Sequence, residues 1–331
     1  MTFGLNGMYR SPDRNIWRGR TDKYDGPDGA RWHHVIQMLD LSRPIASVAG
    51  EKKFALLGFC SDEGVRKNFG RRGASEGPYT IRKMAANLPW HSQPSVSLFD
   101  AGDVLCPNGN LETVQKLLGQ KVATLLDTGY FPILLGGGHE IAYGHFLGAF
   151  AHCPDKKIGI INLDAHFDLR NDPHAPTSGT PFLQIANFLG QEGKPFDYMC
   201  LGIQPSGNTA ALYKTAHQKK VKYLEAGTLF QLSTAEIEKV IHKFTKPLDH
   251  IYLTICLDVM DGAFAPGVSA PAVMGLAPQQ VAELVRIIMS TGKVLTCDVA
   301  EMNPAFDQDN RTAKLAANLV FRIVSELKPT K

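Results

Sequence analysis

The chain has 331 residues, of which 44% are hydrophobic, and its 35 basic and 32 acidic side chains leave a formal net charge of only +3. That much apolar material can form a large hydrophobic core and excludes a disordered chain. The near balance of charge, with no basic stripe interleaved with aromatic residues, argues against nucleic acid as a partner.

The N-terminus, the apolar runs and the cysteines predict where the protein is found. Residues 1–15 contain no apolar signal-peptide core, and the longest apolar runs, such as 251–257, are far shorter than the roughly 18 residues that span a bilayer. The six cysteines show no CxxC spacing and are expected to be reduced thiols. We therefore expect a cytoplasmic protein with no membrane partner.

The first 50 residues are polar and rich in turn-forming residues. They predict an N-terminal extension, 1–50, packed on a single catalytic domain, 51–331. Within that domain, strands are predicted at 54–58, 97–99, 132–135, 158–163, 199–203, 221–224, 251–257 and 294–299. Helices are predicted at 111–128, 235–243, 278–290 and 311–327.

Continuous apolar strands separated by helices are typical of a parallel sheet that is covered on both faces. The prediction is therefore an α/β fold with three layers, α/β/α, around a central, mostly parallel, eight-stranded sheet. In such sheets ligands bind beyond the carboxyl ends of the strands. The residues that follow each strand are thus the candidates for function.

One predicted strand, 158–163, is followed at once by Asp164, His166 and Asp168. In an extended chain these three side chains share one face. Such a crowded set is costly to bury unless a cation neutralises the carboxylates. The alternative is a solvated loop that caps a helix.

Three other predicted strands end in similar residues. Asp258 and Asp261 follow one strand, His139 follows another through three glycines, and Glu301 follows the last. The glycines permit a close backbone approach to a crowded site. Taken alone, His139 is more often structural and Glu301 is equally typical of a helix start, but together they favour a metal site.

Oxygen and imidazole donors without a cysteine cluster suit hard or borderline divalent ions, Mn²⁺ above all. The number of carboxylates predicts two ions that share a water molecule and lower its pKa, which gives hydroxide at neutral pH.

These motifs resemble those of the arginase (ureohydrolase) superfamily, which are GG(D/G)H, DAHxD and (S/T)xDxDxxD. The chain carries the counterparts in that order at 137–139, 164–168 and 254–261. Within the superfamily, the segments GGGHEIAYG, NLDAHFDLR, TSGTPF, APGVSAP and EMNPAFD are similar to the formimidoylglutamase family. IWRGRTD, RWHH and GVRKNFGRRGASEGP extend the likeness over nearly the whole chain. The resemblance implies an arginase-like fold.

The resemblance also implies the metal ligands. The first Mn²⁺ ion would be bound by His139, Asp164 and Asp168. The second would be bound by Asp164, His166 and Asp258, so that Asp164 bridges the two ions.

The same resemblance implies the reaction, which is hydrolysis of N-formimidoyl-L-glutamate to L-glutamate and formamide in histidine degradation. A hydroxide that bridges the two ions would attack the formimidoyl carbon. Glu301 would face the amidine nitrogens and Asp168 would orient the nucleophile. Arg170 and Ser178 lie where the family reads the amino-acid end of its substrate, and an arginine suits bidentate capture of a carboxylate. Members of the family are commonly homo-oligomers.

Cys256 departs from the family pattern, because it replaces the first aspartate of the DxD pair, a bridging ligand. A thiolate can bridge metals, but it is soft and Mn²⁺ prefers oxygen, which puts the second ion in doubt. The alternative is that Cys256 is a small buried apolar residue. Cys60, after the strand 54–58, is expected at the same sheet edge, where it could form a disulfide with Cys256 if their Cα atoms come within about 7 Å.

Two other functions stay open. One is another ureohydrolase that acts on arginine, agmatine or a guanidino acid, although arginases carry a histidine near the position of Phe182. The other is a metal-poor, non-catalytic member of the family, because Cys256 removes a bridging ligand. Metal content discriminates the two.

Overall fold

The computed structural model of the chain describes residues 7–45, 52–91, 95–172 and 175–326. Within them, ten strands form one sheet: β1 (Tyr9–Arg10), β2 (Gln37–Met38), β3 (Lys52–Cys60), β4 (Val96–Leu105), β5 (Tyr130–Gly136), β6 (Ile158–Leu163), β7 (Tyr198–Ile203), β8 (Lys222–Glu225), β9 (His250–Cys256) and β10 (Val294–Ala300).

The same ranges contain eleven α-helices: α1 (Trp32–Val35), α2 (Glu63–Lys67), α3 (Gly77–Ala85), α4 (Leu111–Asp127), α5 (Ile141–His152), α6 (Pro181–Gln191), α7 (Ala210–Gln218), α8 (Ala226–Gln231), α9 (Thr234–Thr245), α10 (Pro278–Ser290) and α11 (Arg311–Glu326). The four predicted helices correspond to α4, α9, α10 and α11. The last residue of the predicted helix 311–327 lies outside the described residues. No helix in the described ranges is both long enough and apolar enough to cross a bilayer.

The strand order is β1-β4-β3-β5-β10-β9-β6-β7-β8, and β2 pairs with β4. Only β1 runs antiparallel to its neighbour among the described pairs. The eight predicted strands are β3 to β10, so the mostly parallel sheet is confirmed. The sheet nevertheless has ten strands rather than eight, because β1 and β2 are two-residue segments too short and too polar to show a strand pattern.

Helices cover both faces of the sheet, which confirms the three-layer architecture. One face packs against α3, α10 and α11, whereas the opposite face packs against α4, α5 and α6. Successive side chains of strand β9 point to opposite faces of the sheet. Leu253 and Ile255 pack on the face covered by α3, α10 and α11, whereas Tyr252 packs on the opposite face. Helix α10 begins with Pro278 at its first position and buries an apolar stripe at helical spacing.

The N-terminal segment, 7–45, lies along β4. Strands β1 and β2 pair with β4, and the indole of Trp17 donates a hydrogen bond of 2.7 Å to Asp100. Asp100 and Asp103 hold the buried guanidinium of Arg82 at 2.9 Å and 2.7 Å. The predicted boundary at residue 50 lies outside the described residues, and the division into 1–50 and 51–331 stays a proposal.

Candidate metal centre

Four polar residues follow the central strands of the sheet and lie at one of its edges. Strands β5, β10, β9 and β6 are neighbours and run parallel, so their carboxyl ends meet at the same edge. His139 follows β5, Glu301 follows β10, Asp258 follows β9 and Asp164 follows β6. All four residues are buried. The strand order therefore brings together residues that are far apart in the sequence.

The first cluster is formed by His139, Asp164, Asp168 and Cys256. Nδ1 of His139 lies 3.0 Å from Oδ2 of Asp164 and 2.9 Å from Oδ2 of Asp168. The ligand atoms of His139, Asp164 and Cys256 all lie within 4.8 Å of one another. The thiol of Cys256 is therefore at the cluster, rather than pointing into the apolar core alone.

The second cluster is formed by Asp164, His166 and Asp258, whose ligand atoms also lie within 4.8 Å of one another. Nδ1 of His166 lies 3.5 Å from Oδ1 of Asp164 and 3.2 Å from Oδ2 of Asp258. Asp164 thus presents one carboxylate oxygen to each cluster, as a bridging ligand does.

Two buried atoms in these clusters, Nδ1 of His139 and Oδ1 of Asp258, have no hydrogen-bond partner. Such groups are costly to bury unless something else satisfies them. Ligand atoms at right angles around an octahedral ion, each about 2.1 Å from it, lie about 3 Å apart. The separations around His139 match that value. The donor set and the unpartnered atoms therefore fit divalent cations.

The electrostatics of the clusters support the same conclusion. Burial, reinforced by Asp164, raises the pKa of Asp168 to about 6 and also raises the pKa of Asp258. Burial acts in the same direction on Asp164, but His139 and His166 outweigh it and lower the pKa of that carboxyl. The nearby carboxylates in turn raise the pKa of both imidazoles well above the usual value, despite burial. The clusters contain more acidic groups than the two imidazoles can balance.

Glu301 and Asp168 hold strained backbone conformations beside the clusters. Their φ angles are +72° and +48°, in the left-handed region that non-glycine residues rarely adopt. The carboxylate of Glu301 accepts hydrogen bonds from the backbone N–H of His139, at 2.9 Å, and from the hydroxyl of Ser269. Burial raises the pKa of Glu301 to about 7. Both predicted catalytic residues therefore lie within the site.

Arg170 and Ser178 meet at the loop that follows the second cluster. The backbone N–H of Arg170 donates to the carbonyl of Gly179 at 2.8 Å, and the hydroxyl of Ser178 accepts from the amide of Asn68 at 3.2 Å. The side chain of Arg170 is exposed and borders a polar hollow of about 220 Å³ that Glu112 also lines. Arg170 is therefore open to a ligand from solvent.

Three residues of the site were not predicted from the sequence. Nε2 of His139 lies 3.0 Å from the hydroxyl of Thr254, and the amide of Asn162 donates to Oδ2 of Asp164 at 3.0 Å. Glu140 accepts hydrogen bonds from the hydroxyl of Ser61 and from the N–H of Gly64. Each of the three stands next to or two residues from a predicted ligand, which is the signal that could have identified it.

Two further motif residues have defined places. Asp261 accepts hydrogen bonds from the N–H groups of Ala263, Met274 and Gly275, so it organises the loop after β9 rather than joining a cluster. The ring of Phe182 is buried and meets the His139 ring edge-on, with centroids 5.4 Å apart.

The distance condition for a disulfide between Cys60 and Cys256 is not met. Both thiols are free, and β5 and β10 lie between the strands that carry them. Three strand spacings of about 4.8 Å put the two residues about 14 Å apart, far beyond disulfide reach. Cys60 instead lies beside Arg10 and Asp103.

The fold has three layers, and two carboxylate–imidazole clusters lie at the ends of the central strands of its sheet. This is the architecture of a binuclear metalloprotein. The arginase family model matches residues 52–325, so the chain belongs to the arginase family.

Curated relatives match almost the whole chain. A formimidoylglutamase from Ralstonia nicotianae is 42% identical over 97% of this chain and 98% of its own. A formimidoylglutamase from Geobacillus thermodenitrificans is 44% identical over 94% of this chain and 95% of its own. The crystal structure of a Trypanosoma cruzi formiminoglutamase variant with Mn²⁺ covers 86% of this chain and 96% of its own, with a TM-score of 0.76 and 25% identity.

The glycine loop before His139 yields a testable prediction. Gly137 donates to the carbonyl of Phe59 at 2.8 Å, and its own carbonyl accepts from Glu301, so the loop is held between β3 and β10. A Cβ at Gly137 would overlap with the carbonyl oxygen of Ser61. Gly137→Ala should therefore lower the free energy of unfolding by about 1–3 kcal/mol, as measured by urea denaturation.

The control is Gly190→Ala, because a Cβ at Gly190 in α6 has no neighbour within 4 Å. Alanine in a helix should stabilise this position by about 0.5–1 kcal/mol. If both variants are equally stable, the loop is not confined as described.

Proposed function

We propose that the protein hydrolyses N-formimidoyl-L-glutamate to L-glutamate and formamide, with Mn²⁺ as its cofactor, as a cytoplasmic homo-oligomer. The observation that carries this proposal is the pair of clusters that share Asp164 beside the buried acid Glu301. The relatives that are 42% and 44% identical over nearly the whole chain are formimidoylglutamases, which supports this substrate among those of the family.

The proposed ligands are His139, Asp164 and Asp168 for one ion and His166, Asp164 and Asp258 for the other. Cys256 lies at the first of these groups. Two Mn²⁺ ions bound there would lower the pKa of a shared water molecule and polarise the amidine carbon. The Mn²⁺ in the structure of the Trypanosoma cruzi formiminoglutamase variant supports this choice of metal.

Asp168 and Glu301 would act on different reactants, the attacking water and the amidine. Asp168, at the first cluster, would accept a hydrogen bond from the attacking water and so orient it. Glu301, which the Ser269 hydroxyl and the His139 N–H hold in place, would accept hydrogen bonds from the N–H groups of the amidine. A buried carboxyl with a pKa of about 7 can both bind and release a proton near neutral pH, as a general acid or base requires.

Arg170 and Ser178 would bind the glutamate portion of the substrate. Arg170 is exposed beside Ser178 and Asn68, where a guanidinium, a hydroxyl and an amide are available to a carboxylate. In arginases a histidine stands near the position of Phe182. Here the apolar ring of Phe182 packs on His139, which favours formimidoylglutamate over arginine.

The substrate is tested with a panel of formimidoylglutamate, arginine and agmatine after reconstitution with Mn²⁺. Glutamate release from formimidoylglutamate should exceed urea release from the other two by at least a hundredfold in kcat/KM. Arg170→Ala should raise KM for formimidoylglutamate about tenfold or more, because an ion pair to the substrate is lost. Arg322→Ala, which removes an exposed arginine from α11, should leave KM unchanged. Faster urea release than glutamate release contradicts the proposal.

The bridging assignment is tested by metal analysis. Asp164→Ala should lose both ions, because this carboxylate faces both clusters, whereas His139→Ala should lose chiefly one. Elemental analysis of the reconstituted proteins gives the number of ions per chain. Asp127→Ala, which removes an exposed carboxylate from α4, is the control. Undiminished metal in Asp164→Ala rules out a bridging role.

The role of Cys256 distinguishes an active enzyme that binds two ions from a metal-poor, non-catalytic member of the family. Burial and the nearby carboxylates raise the pKa of its thiol well above the usual value, so the thiolate form that binds metal is disfavoured. Cys256→Asp supplies a hard oxygen ligand and should raise both the manganese stoichiometry and kcat. Metal titration under reducing conditions measures the first and glutamate release the second. Cys297→Ser, in the neighbouring strand β10, is the control for loss of a buried thiol. Equal metal affinity and activity in wild type and Cys256→Asp would show that Cys256 has no part in the site.

A further inference from the structure

A chain of buried hydrogen bonds leads from His139 away from the clusters and into the sheet. Nε2 of His139 lies 3.0 Å from Oγ1 of Thr254, and the hydroxyl of Thr254 donates to Oδ1 of Asp298 at 2.6 Å. All three residues are at most 1% exposed. We call these three residues the relay.

The register of the sheet creates the relay. Thr254 on β9 and Asp298 on β10 are direct partners in a parallel pairing, so their side chains project from the same face of the sheet. Thr254 is also two residues before Cys256 and shares its face. The relay thus reaches from the first cluster along the sheet to a carboxylate that contacts no proposed metal ligand directly.

The relay fixes which nitrogen of His139 bears a proton. A hydroxyl has a single hydrogen, and Thr254 donates it to Asp298. The oxygen of Thr254 can therefore only accept from His139, which requires an N–H at Nε2. A neutral imidazole then has its lone pair at Nδ1. Nδ1 is the atom that faces the carboxylates of Asp164 and Asp168.

Further contacts hold Asp298 as an acceptor. Its Oδ2 accepts from the hydroxyl of Tyr252 at 2.5 Å and faces Nδ1 of His145 at 2.6 Å. Nε2 of His145 lies 2.7 Å from the hydroxyl of Thr296, which itself donates to the carbonyl of Pro132. Because Tyr252 and His145 both face Oδ2, the other oxygen of Asp298, Oδ1, is left to accept from Thr254.

We infer that Asp298 is a positioning residue that acts through Thr254 to hold His139 in the tautomer whose Nδ1 binds metal. The inference rests on the proposed metal site, since it concerns how one ligand of that site is prepared. Partners of metal-binding histidines that act in this way commonly contribute 10–100-fold to metal affinity. Whenever the imidazole of His139 is neutral, the relay therefore directs its lone pair at Nδ1 toward the first cluster.

Two variants remove the relay in different ways. Thr254→Val deletes the hydroxyl and keeps the shape of the side chain. Asp298→Asn keeps the shape but offers an N–H to Thr254, which reverses the hydrogen bonds and favours the proton on Nδ1 of His139. Each should weaken Mn²⁺ binding 10–100-fold in titration calorimetry of the metal-free protein. Thr254→Ser keeps a hydroxyl and should restore the affinity to within about threefold.

The control is Thr245→Val, which removes the hydroxyl of another buried threonine, one that donates to the carbonyl of His242 at the end of α9. This variant should bind Mn²⁺ as the wild type does. Circular dichroism and thermal unfolding establish that each variant is folded. If Asp298→Asn does not fold, the comparison of Thr254→Val with Thr254→Ser still decides the inference.

The second readout is ¹⁵N NMR of the metal-free protein labelled at histidine ring nitrogens, recorded at a pH high enough for the imidazole of His139 to be neutral. It should show the proton of His139 on Nε2 in the wild type and on Nδ1 in Asp298→Asn, a change that a merely structural role would not produce. Wild-type affinity in Thr254→Val, or a proton on Nδ1 in the wild type, overturns the inference. Mn²⁺ affinities that follow the prediction in a protein that does not cleave formimidoylglutamate leave the relay standing and refute the proposed function alone.

Discussion

The burial of Asp164 between two imidazoles and two further carboxylates is the constraint on which the rest of the site depends. Asp164 has no exposed surface and contacts both His139 and His166. Its neighbours Asp168 and Asp258 have raised pKa values because they share this buried space with it. A protein interior tolerates this arrangement when cations balance the charge. Divalent cations bound at the proposed site would therefore balance the buried charge as well as supply the proposed chemistry.

The loops that surround Asp164 are confined for the same reason. The glycine loop before His139 hydrogen-bonds to the ends of β3 and β10, with Gly137 in contact with Ser61. Asp168 and Glu301 each hold a left-handed backbone, at an order-of-magnitude cost of about 1–3 kcal/mol per residue. Such conformations persist only where the surrounding structure fixes them, which the buried hydrogen bonds of Glu301 illustrate. The packing of the sheet edge thus stabilises a geometry that the local sequence disfavours.

Much of this site could be predicted from the sequence, because charge appears abruptly at the ends of continuous apolar strands. The segment 158–164 shows this, since β6 is fully buried and Asp164 follows it directly. Thr254 and Asp298 could not be predicted in the same way, because they lie within strands rather than directly after them. Their pairing depends on β9 and β10 being neighbours.

Strand order also explains why Cys60 and Cys256 cannot pair. The two residues both end strands of the same sheet, but sequence alone does not reveal that β5 and β10 lie between them. The short strands β1 and β2 were missed because their pairing to β4 comes from tertiary contacts and not from a local pattern. Local periodicity therefore predicts the strands, whereas the long-range register decides which side chains meet.

The most direct measurement is anomalous diffraction at the manganese absorption edge from crystals of the reduced protein grown with saturating Mn²⁺. We expect two anomalous peaks, one among His139, Asp164 and Asp168 and one among Asp164, His166 and Asp258, with Asp164 contacting both. A map without a peak at either position, or with manganese bound only elsewhere, would contradict this expectation.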